Sequence, residues 1–153
     1  MSDKILIEKA EFSDLKEIVD IENASFTTDK FSSRQFAYLL RKSKAKFFKA
    51  VSGEKILGYI ILLKPKNAKK LRLYSIAVHP NARGKGLAQM LMDKTLETAK
   101  KLNCQGIKLE VRPNNLSAIS LYKKNGYCEK GKIESYYSDG SEALIMELKL
   151  KVR

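Results

Sequence analysis

The segment Ile76-Ala77-Val78-His79-Pro80-Asn81-Ala82-Arg83-Gly84-Lys85-Gly86-Leu87-Ala88-Gln89 joins a strand to a helix, and its chemistry governs how the rest of the chain is read. The apolar strand stops at His79-Pro80, because the residue before proline is held extended and proline lacks the N–H that would continue a ladder. A turn of small residues and two cations follows. It runs into a helix whose core-facing positions, Ala88, Leu91, Met92, Thr95, Ala99 and Leu102, recur every three or four residues. The first amides of such a helix have no intrahelical acceptor, and the helix dipole adds partial positive charge there. Gly84 and Gly86 let an anion approach the backbone with no side chain between, and Arg83 and Lys85 add full charges. The physical expectation is a phosphate or pyrophosphate site.

Two phosphate motifs are excluded. A Walker loop needs Lys and then Ser or Thr after its last glycine, and here Leu87 follows Gly86. A dinucleotide fingerprint would find Glu110 on the next strand at a suitable distance, but its third small position falls on Gln89. A plain glycine turn accounts for the glycines and leaves the two cations unexplained.

Outward from this segment, Ile5 to Lys9 reads as a first strand. Asp14 with Glu17 has capping-box spacing ahead of a helix carrying Leu15, Ile18 and Val19 on one face, and Ser32 with Gln35 repeats the device before Phe36, Leu39 and Leu40. Phe47 to Val51 and Lys55 to Leu63 form a hairpin about Ser52-Gly53-Glu54, and a strand from Leu71 to Val78 leads into the glycine turn. After the long helix come a strand, Ile107 to Val111, and a helix, Leu116 to Lys124, stopped by Asn125-Gly126. Tyr127 to Ile133 and Glu142 to Leu150 flank an Asp139-Gly140 turn as a closing hairpin. The expected fold class is α/β: a mixed, mostly antiparallel sheet of about seven strands with about four helices and one parallel crossover in the middle. No repeat, low-complexity stretch or linker divides the 153 residues, so one domain over 1–153 is expected.

Composition narrows the class. Hydrophobic residues at 44% and charged residues at 31% are globular values that exclude a disordered tail or a collagen-like fibre. No apolar run approaches the roughly 18 residues of a membrane span, and Met1-Ser2-Asp3-Lys4 lacks the order of a secretory signal. Cys104 and Cys128 are too isolated for a disulfide framework, and with the single His79 they make no metal set. A reduced cytoplasmic protein without a metal is expected. The net charge of +13 favours anionic partners, such as nucleic acid, phosphorylated cofactors or a ribosome surface. Its local clusters, Arg41 to Lys46 and Lys64 to Lys70, fall at expected loops or helix ends, where solvation accounts for them.

The chain resembles the GNAT family of N-acetyltransferases. The family's acyl-CoA signature, Gln or Arg, two free positions, Gly, one free position, then Gly or Ala, is matched by Arg83-Gly84-Lys85-Gly86-Leu87-Ala88. The likeness covers nearly the whole chain and its element order. It includes Ile76 to Pro80, Leu109-Glu110-Val111-Arg112-Pro113-Asn114-Asn115, Ala118-Ile119, Leu121-Tyr122 and Asn125-Gly126-Tyr127, where it is similar to the ribosomal-protein alanine N-acetyltransferase branch. The resemblance implies an acetyl-CoA-dependent acyltransferase. Its cosubstrate would be held by Arg83, Gly84, Lys85, Gly86, Leu87, Ala88 and Gln89, by the backbone of Ile76, Ala77 and Val78, and by Asn115. It implies Glu110 as proton acceptor, Tyr122 as proton donor, and Phe26, Tyr136 and Tyr137 as acceptor contacts. One departure concerns the acceptor side: relatives carry Pro and often Trp after the phenylalanine ending the first helix, whereas Phe26-Thr27-Thr28-Asp29-Lys30-Phe31 has neither.

The chemistry is consistent with an N-terminal acceptor. An α-amine of pKa about 8 is about 10% neutral at pH 7, against about 0.04% for a lysine near 10.4, so a weak general base suffices. Strand alternation puts Lys108, Glu110 and Arg112 on one face and Ile107, Leu109 and Val111 on the core face, which leaves Glu110 open as base or as a cross-strand ion pair. Tyr122 follows Asn115 by two helical turns, so both can face one ligand, although a tyrosine at such spacing also suits a core. The expected reaction is direct attack of a protein N-terminal α-amine, a ribosomal protein's among them, on acetyl-CoA. The alternatives are a small-molecule amine acceptor and a non-catalytic basic nucleic-acid-binding module; no recognition helix or stacking motif supports the latter, and neither direct nucleic-acid binding nor membrane association is expected.

Overall fold

The computed structural model describes residues 4–26, 30–41 and 45–151. Residues 27–29 of the departing stretch and 42–44 of the first basic cluster lie outside the described residues. The elements in chain order are β1 (Ile5–Lys9), α1 (Leu15–Ser25), α2 (Ser33–Arg41), β2 (Ala45–Ser52), β3 (Lys55–Leu63), β4 (Lys70–Val78), α3 (Leu87–Lys101), β5 (Gly106–Val111), α4 (Leu116–Lys124), β6 (Cys128–Ile133) and β7 (Ala143–Lys149). The strands form one sheet in the order β1-β2-β3-β4-β5-β7-β6. All neighbours are antiparallel except β4 and β5, which α3 joins as a parallel crossover.

Alternation divides the sheet's side chains between two cores. Ile60, Leu62, Leu71, Leu73, Ile107, Leu109 and Val111 pack with Leu87, Leu91 and Met92 of α3 and Tyr122 of α4 on one face. Phe47, Tyr59, Ile61 and Ala77 pack with Ile18 and Ile21 of α1 and Phe36 and Leu39 of α2 on the other. No described helix is long and apolar enough to cross a membrane.

Two irregularities shape the middle of the sheet. The β3–β4 register shifts between Ile61↔Ser75 and Leu62↔Leu73, leaving Tyr74 as the extra residue of a bulge. The β4–β5 ladder holds Lys70↔Gly106, Leu71↔Ile107 and Arg72↔Lys108 and goes no further. Beyond Arg72 the two parallel strands part, and the β5-facing edge of β4 from Leu73 to Val78 is not in a ladder with β5.

Local signals hold with three adjustments. Ser32 and Gln35 form the reciprocal box, Gln35 N donating to Ser32 Oγ at 3.1 Å and Ser32 N to Gln35 Oε1 at 2.7 Å. The Asp14/Glu17 box does not form. A 3₁₀ turn over Phe12–Asp14 precedes α1, so the Asp14 carboxylate turns back to accept from Glu11 N at 2.7 Å and to meet Lys49 Nζ at 2.9 Å. Glu17 instead accepts from Ile56 N on β3 at 3.2 Å. Leu102 lies beyond the end of α3 and is 36% exposed, while Thr98 takes a buried place on the helix.

Candidate active site

The glycine turn is a cradle with its backbone open. Gly84 and Gly86 have φ of +82° and +79°, in the left-handed region that favours glycine, and a Cβ built on either meets no heavy atom within 4 Å. Gly86 caps α3, whose first residue Leu87 is anchored in the core at 1% exposure. The turn is thereby fixed from below while its upper side stays free. Arg83 and Lys85 are exposed on it, and Arg83 Nε donates to Val78 O at 3.4 Å. His79 is a turn residue as its setting before proline indicates: its Nδ1 accepts from Asn81 N at 3.1 Å.

Ile76, Ala77 and Val78 occupy the part of β4 that has left β5, so amides on that edge are available to an extended ligand, as a pantetheine arm is. Open backbone beside a helix N-terminus fits an acyl-CoA: the cradle suits its pyrophosphate and the free strand edge suits its arm.

The Gln89 side chain is engaged within the fold. Its Nε2 donates to Asn125 Oδ1 at 2.7 Å and to Asp93 Oδ1 at 2.9 Å, while Asn125 Nδ2 returns a bond to Gln89 Oε1 at 3.1 Å. The side chain thus ties α3 to the end of α4 and leaves only the Gln89 backbone near the cradle. Asn115 is the N-cap of α4, its Oδ1 accepting from Ala118 N at 3.3 Å.

On β5, Glu110 forms the cross-strand ion pair that alternation left open. Arg72 presents Nε to Oε2 at 3.3 Å and Nη2 to Oε1 at 3.2 Å, a two-pronged contact to a carboxylate only 12% exposed. Arg72 also donates from Nη2 to the Tyr136 hydroxyl at 3.0 Å and lies 5.1 Å from the centre of the Tyr74 ring. Arg72 is the member of the site that sequence reasoning missed. Its signal, a basic residue two positions before the bulge, acquires meaning only once β4 is registered against β5.

Tyr136 and Tyr137 come from the turn between β6 and β7, their rings edge to face at 4.9 Å. Both amides donate to Ser141 O, and Asp139 closes the turn by accepting from Ser141 N at 2.9 Å. Arg112 joins this turn to β5, 3.1 Å from Asp139 Oδ2 and 4.1 Å from the centre of the Tyr137 ring. Burial, then the Glu110 charge, push the Tyr136 phenol up.

Tyr122 belongs to the opposite face. It is 6% exposed among the α3 and α4 core residues, 6.0 Å from the Tyr127 ring, and burial followed by neighbouring Tyr137 pushes its phenol well above the ordinary range. Glu110 and Tyr122 therefore belong to opposite faces of the sheet. Phe26, at the end of α1, packs against the core cluster of α1, α2 and the sheet, as Phe31 and Tyr74 also do. A groove of about 650 Å³ lined by Glu17, Ser52, His79 and Lys85 includes neither Glu110 nor Tyr122, and a concavity of about 320 Å³ adjoins Arg112, Asn114 and Ser141. Neither is centred on the strand gap.

Comparison with known proteins identifies the family and the fold. The family model described as acetyltransferase (GNAT) family matches residues 13–127. An N-alpha-acetyltransferase of Sulfurisphaera tokodaii is 31% identical over 151 residues, covering 92% of this chain and 90% of that protein. Among solved structures, the ribosomal-protein-S18-alanine N-acetyltransferase from Escherichia coli superposes with a TM-score of 0.87 at 26% identity, over 98% of this chain and 96% of that one. Ard1 from Thermoplasma volcanium does so with a TM-score of 0.88 at 26% identity, over 96% and 98%.

Proposed function

Because the chain belongs to the acetyltransferase (GNAT) family and is an acetyl-CoA-dependent acetyltransferase, we propose that its acceptor is the α-amine of a protein N-terminus, ribosomal proteins included. The observation that carries the reading is the Arg72–Glu110 pair at the place where β4 and β5 separate, with the Tyr136-Tyr137 turn closing over the same face. That face offers a carboxylate and aromatic rings, which suits a peptide terminus entering as a partly neutral amine.

In this reading the amides from Gly84 to Ala88, with Arg83 and Lys85, bind the pyrophosphate of acetyl-CoA. The Gln89 backbone lies at the end of this cradle, and Asn115 marks the α4 side. Ile76, Ala77 and Val78 offer backbone groups to the pantetheine arm and to the oxygen that becomes negative in the tetrahedral intermediate. The amine nitrogen attacks the thioester carbon, so an N–C bond forms. Glu110 takes the ammonium proton, directly or through one water, and the C–S bond breaks. Tyr122 gives its proton to the leaving sulfur, and CoA departs as the thiol. Phe26, Tyr136 and Tyr137 line the acceptor.

Incubating the protein with acetyl-CoA and a panel of amines, while following thiol release, tests this. Peptides with a free α-amine and blocked lysines should release thiol, and N-blocked peptides with free lysines should not. A small amine that outcompetes every peptide would assign the protein to small-molecule acetylation instead.

A further inference from the structure

We propose that Glu22 is a positioning residue for the acceptor: it holds Phe31 against Tyr74 and so shapes the wall on which the acceptor's first residue rests. The inference builds on the acceptor face assigned above. Glu22 is 1% exposed and shares the buried stripe of α1 with Ile18 and Ile21. A carboxylate there costs stability unless both oxygens are matched. Both are: Oε2 accepts from Phe31 N at 2.9 Å, and Oε1 accepts from the hydroxyl of Tyr59, a side chain with no exposure. The same hydroxyl lies 3.3 Å from Ser75 Oγ.

Burial raises the Glu22 carboxyl, against the two donors and the nearby Lys30 charge that lower it. An apolar residue would fill the stripe at less cost. What the carboxylate adds is a fixed Phe31 amide, nine residues along the chain. The Phe31 ring stacks on Tyr74 at 5.0 Å and 19° and meets Phe36 edge-on at 5.7 Å. Tyr74 is the bulge residue of β4, and Arg72, which grips Glu110 and Tyr136, lies beside its ring. A chain of contacts thus runs from Glu22 through Phe31, Tyr74 and Arg72 to Glu110 without Glu22 approaching the thioester.

The test compares the parent chain with Glu22→Gln and with the double variant Glu22→Leu/Tyr59→Phe, which removes the carboxylate and the phenol together, so that neither is left buried without the other, and which frees the Phe31 amide. An alanine-initiated peptide with blocked lysines is the acceptor. In the double variant the Phe31 amide should exchange with solvent, and the peptide KM should rise, each on the order of ten-fold, with melting temperature and acetyl-CoA affinity unchanged. Glu22→Gln keeps an acceptor for Phe31 N and should stay within about two-fold of the parent. A peptide KM unchanged despite fast Phe31 exchange would overturn the proposal, as would acetyl-CoA affinity falling in step with the peptide. If the parent acetylates a small amine and no peptide, the acceptor reading fails, and the same comparison made with that amine decides on Glu22. Transfer to neither removes both.

Discussion

Arg72 and Glu110 meet where two parallel strands stop being a sheet: the last rung is Arg72↔Lys108, and two residues along β5 the Glu110 carboxylate is gripped by Arg72 Nε and Nη2 at 3.3 and 3.2 Å. In the proposed reaction an incoming amine or water shares that carboxylate with a guanidinium that also holds Tyr136. Glu110→Gln keeps the shape and removes the base. It should lower kcat by a factor of about 10² to 10⁴, the usual worth of general-base catalysis, with acetyl-CoA affinity unchanged by calorimetry. Arg72→Met should raise the acceptor KM and leave acetyl-CoA affinity alone, because its partners lie on the acceptor face.

Tyr122 is raised by burial, so it keeps its proton through neutral and alkaline pH. A donor of this kind titrates above the ordinary phenol value of about 10. The pH profile of kcat/KM should therefore climb as the α-amine deprotonates near about 8 and stay level to about 10. A descending limb between those values would contradict the assignment. Tyr122→Phe, which preserves the packing against Tyr127, should lower kcat and keep the melting temperature.

Gly86 at φ +79° has open space where a Cβ would stand. Gly86→Ala should cost about 1–2 kcal/mol of stability from left-handed strain, read by denaturant titration. Acetyl-CoA affinity should fall by more than that strain explains, since the methyl group enters the cradle itself.

Glu22 makes a prediction about pH. Among the described residues, Tyr59 on β3 and Lys30 before α2 are the titratable groups acting on it, and burial dominates, so the folded state holds the Glu22 proton more tightly than the unfolded chain does. The protonated form's stability contribution is complete below the unfolded carboxyl value of about 4.3 and is lost as pH rises through the higher folded value. Glu22→Gln cannot titrate, so its melting temperature should gain on the parent as pH rises from about 4 to 7. A constant difference across that range would show that Glu22 does not titrate differently in the two states.

Features set by short-range chemistry were legible before the fold was known. The Ser32/Gln35 box, the bounds of α4 at Leu116 and Lys124, the stop at His79-Pro80 and the open glycines each depend on residues within a few positions. Features set by register were not. The bulge at Tyr74 puts Tyr74 and Ser75 both toward the α1 side, so simple alternation along β4 misplaces one of them. Arg72 could not be assigned to Glu110, because that depends on where the β4–β5 ladder ends. The partner of the Gln89 side chain was not legible either, because Asn125, thirty-six residues away, takes it into the α3–α4 bridge. Asp14 was displaced by one extra 3₁₀ turn.

The central claim is that the α3 cradle and the free edge of β4 receive acetyl-CoA. Titrating CoA into isotope-labelled protein, and following every backbone amide by NMR, tests it most directly. The largest shifts are expected at residues 84–88 and 76–78, with smaller ones at Asn115 and Tyr122. Shifts confined instead to the groove of Glu17, Ser52 and His79, with the cradle amides unmoved, would contradict it.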